Sequence, residues 1–138
     1  MQELELRVAA ASATFDRFNG QPFVLGKTDC ARLVAFHLKQ VGLKPSLLKG
    51  GAYSTPVGAR RALMRMGVSS LSEIMDRHFP RWDAPAEART GDVCCVRGEG
   101  DMGDAMQVVL HRNQVLGFMD GVCGELVNQE HRIAWRVI

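Results

Sequence analysis

"FVLGKTDCARLVAFHLKQVG", Phe23 to Gly42, decides how this chain folds. It reads as one helix with a cysteine in its first turn. Thr28 and Asp29 are both good N-caps, because a short side-chain oxygen can accept from the free N–H groups of the first turn. Gly42 suits the position just past the helix, where the backbone turns left-handed. Cys30, Leu33, Val34, His37, Leu38 and Val41 recur at helical spacing and mark a buried stripe. Arg32, Lys39 and Gln40 fall off it. Cys30 therefore sits at the positive end of a helix dipole, on the face turned to the core. The free N–H groups there favour a thiolate, so a lowered pKa and a reactive sulfur are expected. The neighbouring Asp29 charge opposes this. The alternative is a small buried residue.

Outward from this helix, the first half of the chain reads helical and the second half reads as strands. Residues 3–18 form an Ala-rich helix ended by Asn19-Gly20. "STPVGARRALMRMG" starts another, with Thr55 as cap, Pro56 at the first helical position and Gly67 as stop. Arg60, Arg61 and Arg65 mark its solvent face. "SSLSEIMDRHF" gives a short fourth helix, capped by Ser69 or Ser70. A Pro-containing connector, "PRWDAPAEARTGD", leads to "DVCCVRG", "AMQVVLH", "QVLGFM", "GELVN" and "RIAWRVI". These apolar, β-branched runs read as an antiparallel meander, with "HRNQ" (His111 to Gln114) as a hairpin turn. Helices first and strands second predict an α+β fold: N-terminal helices packed on a C-terminal antiparallel sheet of about five strands.

The totals narrow the function. A length of 138 residues suits one domain, 1–138. A net charge of +2, one Tyr, two Trp and no basic tract argue against nucleic-acid binding. No apolar run reaches membrane-span length, so no membrane insertion is expected. The first residues, "MQELELRVAAASATFDRF", lack the basic start of a signal peptide, so synthesis in the cytoplasm is expected. The four cysteines, Cys30, Cys94, Cys95 and Cys123, match no zinc spacing. Cys94 and Cys95 are adjacent in a strand and should point to opposite faces. No metal and no cofactor are expected. "RGEGDMGD" (Arg97 to Asp104) reads as a loop whose acidic residues, Glu99, Asp101 and Asp104, make at best a weak cation site.

The opening stretch resembles the "F-x-x-G-x-x-D-C" start of the catalytic helix in NlpC-like cell-wall peptidases, a papain-like group. "GDV" (Gly91 to Val93) is similar to the Gly-Asp that opens their first core strand. From about Pro22 onward the chain also resembles a small family encoded in phage and prophage tail modules. That likeness rests on "DC" at 29–30, "GAYSTPVGARRALMRMG" at 51–67, "ARTGDV" at 88–93 and "AWRV" at 134–137.

The resemblance implies a single NlpC-like domain with Cys30 at the nucleophile position. Its base would come from a histidine at the start of the second core strand. That position falls here on Ala105 or Met106, neither of which takes a proton. His37, seven residues past Cys30, lies roughly 10 Å along the helix axis and is expected to be a satisfied, semi-buried histidine. His111 lies at the hairpin end, and His78 in a connector. His131, near the last strand, is the remaining base candidate. The implied function is a phage tail-associated structural protein of the virion, at the tail tip or hub or among the minor tail proteins, with a degenerate cysteine-hydrolase site. Its partners would be other tail proteins: hub, tail tip and tape measure. The alternatives are an active cysteine peptidase or amidase acting on peptidoglycan during phage entry, and an assembly factor that leaves before the particle matures.

Overall fold

The computed structural model describes residues 2–43, 49–98 and 104–138. The loop expected at Arg97 to Asp104, with Glu99 and Asp101 of the weak cation site, lies mostly outside them. Among the described residues, four helices precede five strands. The helices are α1 (Glu3–Phe18), α2 (Cys30–Gln40), α3 (Pro56–Arg65) and α4 (Leu71–His78). The strands are β1 (Val93–Val96), β2 (Ala105–His111), β3 (Gln114–Met119), β4 (Val122–Val127) and β5 (His131–Trp135). The expected α+β arrangement, N-terminal helices on a C-terminal antiparallel sheet, is the one observed.

Local chemistry sets the helix ends. Asp29 caps α2 by accepting from Arg32 N at 3.0 Å. Thr55 caps α3 through Gly58 N, and Ser70, the second of the two candidates, caps α4 through Glu73 N. The α2 stripe is buried as expected, except that Cys30 keeps partial exposure. A main core forms where Val34, Leu38, Leu63, Leu71, Ile74 and Met75 meet Val93, Cys95, Met106 and Trp135. Each of the buried aliphatic and methionine side chains among them contributes about 1.5–3 kcal/mol of burial. Cys94 packs on the opposite face with Val109, Val115 and Ala134, so the adjacent cysteines part as predicted.

The meander expectation holds for β1 to β4 and fails for β5. The sheet order is β4-β3-β2-β1-β5, so β5 pairs antiparallel with β1 on the far edge. Three residues, 128–130, join strands at opposite edges. Four flat strand spacings span about 19 Å. The link from Val127 to His131 reaches about 14 Å at most. The sheet is therefore curled. The link crosses its outer face, where Gln107 of β2 donates to Gln129 Oε1 at 3.3 Å. A bulge between Cys95 and Val96 pairs these residues with Ile133 and His131, leaving Arg132 as the extra residue.

The Gly91-Asp92 pair ties the layers together. Asp92 is fully buried. Its Oδ1 accepts from Arg7 Nη1 at 2.8 Å and from Val137 N at 3.2 Å. Its Oδ2 accepts from Trp82 Nε1 at 2.9 Å and Arg89 N at 2.8 Å. Gly91 has φ of 87°, and a Cβ there would sit 3.2 Å from the Arg7 carbonyl oxygen. Only glycine meets both demands without strain.

Candidate functional site

Cys30 opens α2 and faces the start of β2. The backbone N–H of Met106 points at its sulfur. Burial pushes the Cys30 thiol up to about 11. The N–H groups of Met106, Cys30 and Ala31 pull the other way, and the Asp29 charge pushes with burial. The expected lowering by the helix end is thus overturned: desolvation outweighs the dipole. At pH 7 a thiol of this kind is ionised to about one part in ten thousand.

The wall beside Cys30 is built on Asp29. Its Oδ2 accepts from Gly26 N at 2.9 Å and from the Tyr53 hydroxyl at 2.7 Å. Arg32 Nη1 donates to the Tyr53 oxygen at 3.0 Å, and its guanidinium lies 4.9 Å from the centre of the Tyr53 ring. Burial raises the Tyr53 pKa, and the bond to Asp29 raises it further. Tyr53 is therefore a neutral donor. Gly26 has φ of 83°, and a Cβ there would fall 1.8 Å from the Tyr53 carbonyl oxygen. Sequence reading identified Asp29 as a cap but missed Tyr53, because nothing local links it to a residue 24 positions earlier.

The histidines do not gather at Cys30. His37 is fully buried, beyond the semi-buried state expected. Its Nε2 lies 2.7 Å from the Gly91 carbonyl oxygen and its Nδ1 lies 2.9 Å from Thr14 Oγ1. A carbonyl only accepts, so Nε2 carries the proton of the neutral ring. Burial lowers the His37 pKa. His37 thus pins α1 and α2 to the turn before β1. His131 lies on the other face of the sheet. Met106 belongs to the helix-side core, so Gln107 points outward, and His131 Nε2 donates to Gln107 Oε1 at 3.1 Å. Burial lowers the His131 pKa as well. The bulge in β1/β5 sets this facing. The sheet stands between the two sequence-predicted site residues, Cys30 and His131. His111 is exposed at the β2–β3 turn, and His78 is exposed at the end of α4. Met106 occupies the strand position beside the sulfur.

Residues 4–137 match one family across nearly their whole length. The chain belongs to DUF6950, described as a domain of unknown function. No curated protein matches the chain. The DUF6950 match spans all four motifs discussed above, and the structure gives each a framework part. "DC" caps α2, "GAY" supplies Tyr53, "ARTGD" supplies the Asp92 hub, and "AWRV" supplies two fully buried residues, Ala134 and Trp135. Among the described residues, no helix is long and apolar enough to cross a membrane.

Proposed function

We propose that this DUF6950 protein is a non-catalytic structural component of a phage tail, built on an NlpC-like framework whose hydrolase site has degenerated. One observation carries the non-catalytic half: Cys30 is a suppressed thiol that faces the backbone of Met106, with no imidazole brought to it. Nucleophilic catalysis needs a base within hydrogen-bond reach of the thiol and a group that orients the base. His37 spends both ring nitrogens on structural bonds, and His131 spends one on Gln107 across the sheet. The tail assignment rests on the order and spacing of the four motifs. Its partners would be the hub, tail-tip and tape-measure proteins.

The test is mass spectrometry of purified virions from a producing strain, with other minor tail proteins as the detection standard. The expected result is the chain in the particle at a fixed ratio to a known tail protein. Its absence from particles would remove the structural reading and leave an assembly factor. Release of peptidoglycan fragments by wild type, lost in Cys30→Ala, would restore the hydrolase.

A further inference from the structure

A groove runs along α1 at the opposite end of β2 from Cys30. Two clefts form it and share Thr90. One, of about 530 Å³, is lined by Leu4, Arg7, Ala88, Arg89 and Arg112, among others. The next, of about 340 Å³, is lined by Val8, Ala11, Phe15, Leu110, His111 and Glu125, among others. The α1 wall is apolar and open to solvent: Leu4 is 69% exposed and Val8 is 50% exposed. From Leu4 to Phe15 the wall runs for roughly 16 Å. That is the length of about five extended residues.

The two ends differ in charge. At the first stand Arg89 and Arg112, and among the described residues neither is ion-paired. The Arg89 guanidinium is held over the Trp82 ring, 5.3 Å from its centre. The carboxylate in that cleft, Glu3, is turned to Arg7 at 3.1 Å. At the far end Glu125 is exposed. A polyanion laid along the groove would meet Glu125 and an apolar wall, so a nucleic-acid backbone fits poorly. A chain with an apolar middle and a carboxylate at one end fits both features. We propose that the groove docks a short segment of a partner protein, apolar in its middle and acidic where it meets Arg89 and Arg112.

The test uses two end-blocked hexapeptides and the ¹⁵N-labelled full chain. One peptide has two aspartates followed by Leu-Ala-Leu-Val; the other has two lysines in place of the aspartates. Each is titrated in both the forward and the reversed order. The expected result is saturable amide shifts at Leu4, Val8, Thr90 and His111 with an acidic peptide only. Arg89→Glu with Arg112→Glu, both on exposed side chains, should weaken the acidic peptide at least tenfold and favour the lysine peptide. A circular dichroism spectrum matching wild type checks the fold of this variant. Three outcomes overturn the proposal: no saturable shift with either acidic order up to millimolar concentration; shifts confined to Arg89, Thr90 and Arg112 with the acidic peptide and reproduced by inorganic phosphate alone, with Leu4 and Val8 silent; or shifts that follow protein concentration with a doubled mass, which makes the groove an interface between copies. The result is independent of the tail reading. A virion protein with a silent groove loses this inference alone, and peptide docking by a protein absent from virions loses the other alone.

Discussion

Asp92→Asn tests the framework most sharply. The side chains are nearly isosteric, so packing is kept and only acceptors change. Asp92 receives four donors, two on each oxygen. Asparagine keeps one oxygen, and its amide nitrogen must face the other donor pair. Directing the remaining oxygen at Arg7 Nη1 and Val137 N turns donor against donor at Trp82 Nε1 and Arg89 N. Two lost neutral bonds cost about 1 kcal/mol each, and weakening the charged bond to Arg7 adds about 1 more. Arg7 keeps Glu3, the Thr90 carbonyl and the Ile138 oxygen, which limits the loss. The sum is about 3 kcal/mol, a large part of the stability of a small domain. With a urea slope of about 1.5–2 kcal/mol/M, the unfolding midpoint should fall by about 1.5–2 M at unchanged slope. Arg7→Met strands a buried carboxylate and should cost about 3–5 kcal/mol. The double variant should lose less than the sum of the two singles, because they share one contact. A midpoint drop below about 0.3 M for Asp92→Asn, or strict additivity with Arg7→Met, would refute the hub.

Two further predictions concern the titratable groups beside the core. Cys30, raised by burial to about 11 from an ordinary value of 9.0, should be alkylated by iodoacetamide at pH 7 about 100-fold more slowly than an unfolded cysteine; peptide mapping reads the rate, and reaction as fast as in urea would mean an activating base is present. His37 has its folded-state pKa lowered, so below about pH 6.5 the unfolded chain binds the extra proton and stability falls as pH drops toward the folded value. Its ring resonances in NMR should stay neutral through pH 6.5, and a midpoint at or above that pH would contradict the buried neutral ring.

Much of the fold was legible because its signals are local. Asp29, Thr55 and Ser70 are caps within three residues of the N–H groups they satisfy, and the α2 stripe repeats over three turns. The place of β5 was not legible. Consecutive strands usually pair, and that rule put "RIAWRVI" beside β4. What seats it beside β1 is nonlocal: Val137 N on Asp92, Trp135 Nε1 on Asp76 at 2.9 Å, and Trp82 N on the Ala134 carbonyl. The facing of His131 was out of reach for the same reason. A strand's alternation can be read from sequence, but a bulge shifts the parity, and the bulge exists only once β1 and β5 are paired.

This bears on what the motifs mean. "DC" and "GD" look like catalytic punctuation when set beside a peptidase, yet both aspartates have a full structural occupation here. Asp92 holds four donors at the junction of α1, β1 and the segment after β5. Asp29 caps α2 and anchors Tyr53. Bonds like these hold this fold together whether or not the chain performs chemistry. Cys30 differs, since its side chain takes no part in the cap of α2. On the proposed reading of a degenerate site, Cys30 keeps the nucleophile position while Ala105 or Met106 stands where the base would be. By this reasoning Met106→His should lower the Cys30 thiol pKa toward its ordinary value if the strand position beside the sulfur is the vacated base position, and leave it unchanged if the pairing is incidental.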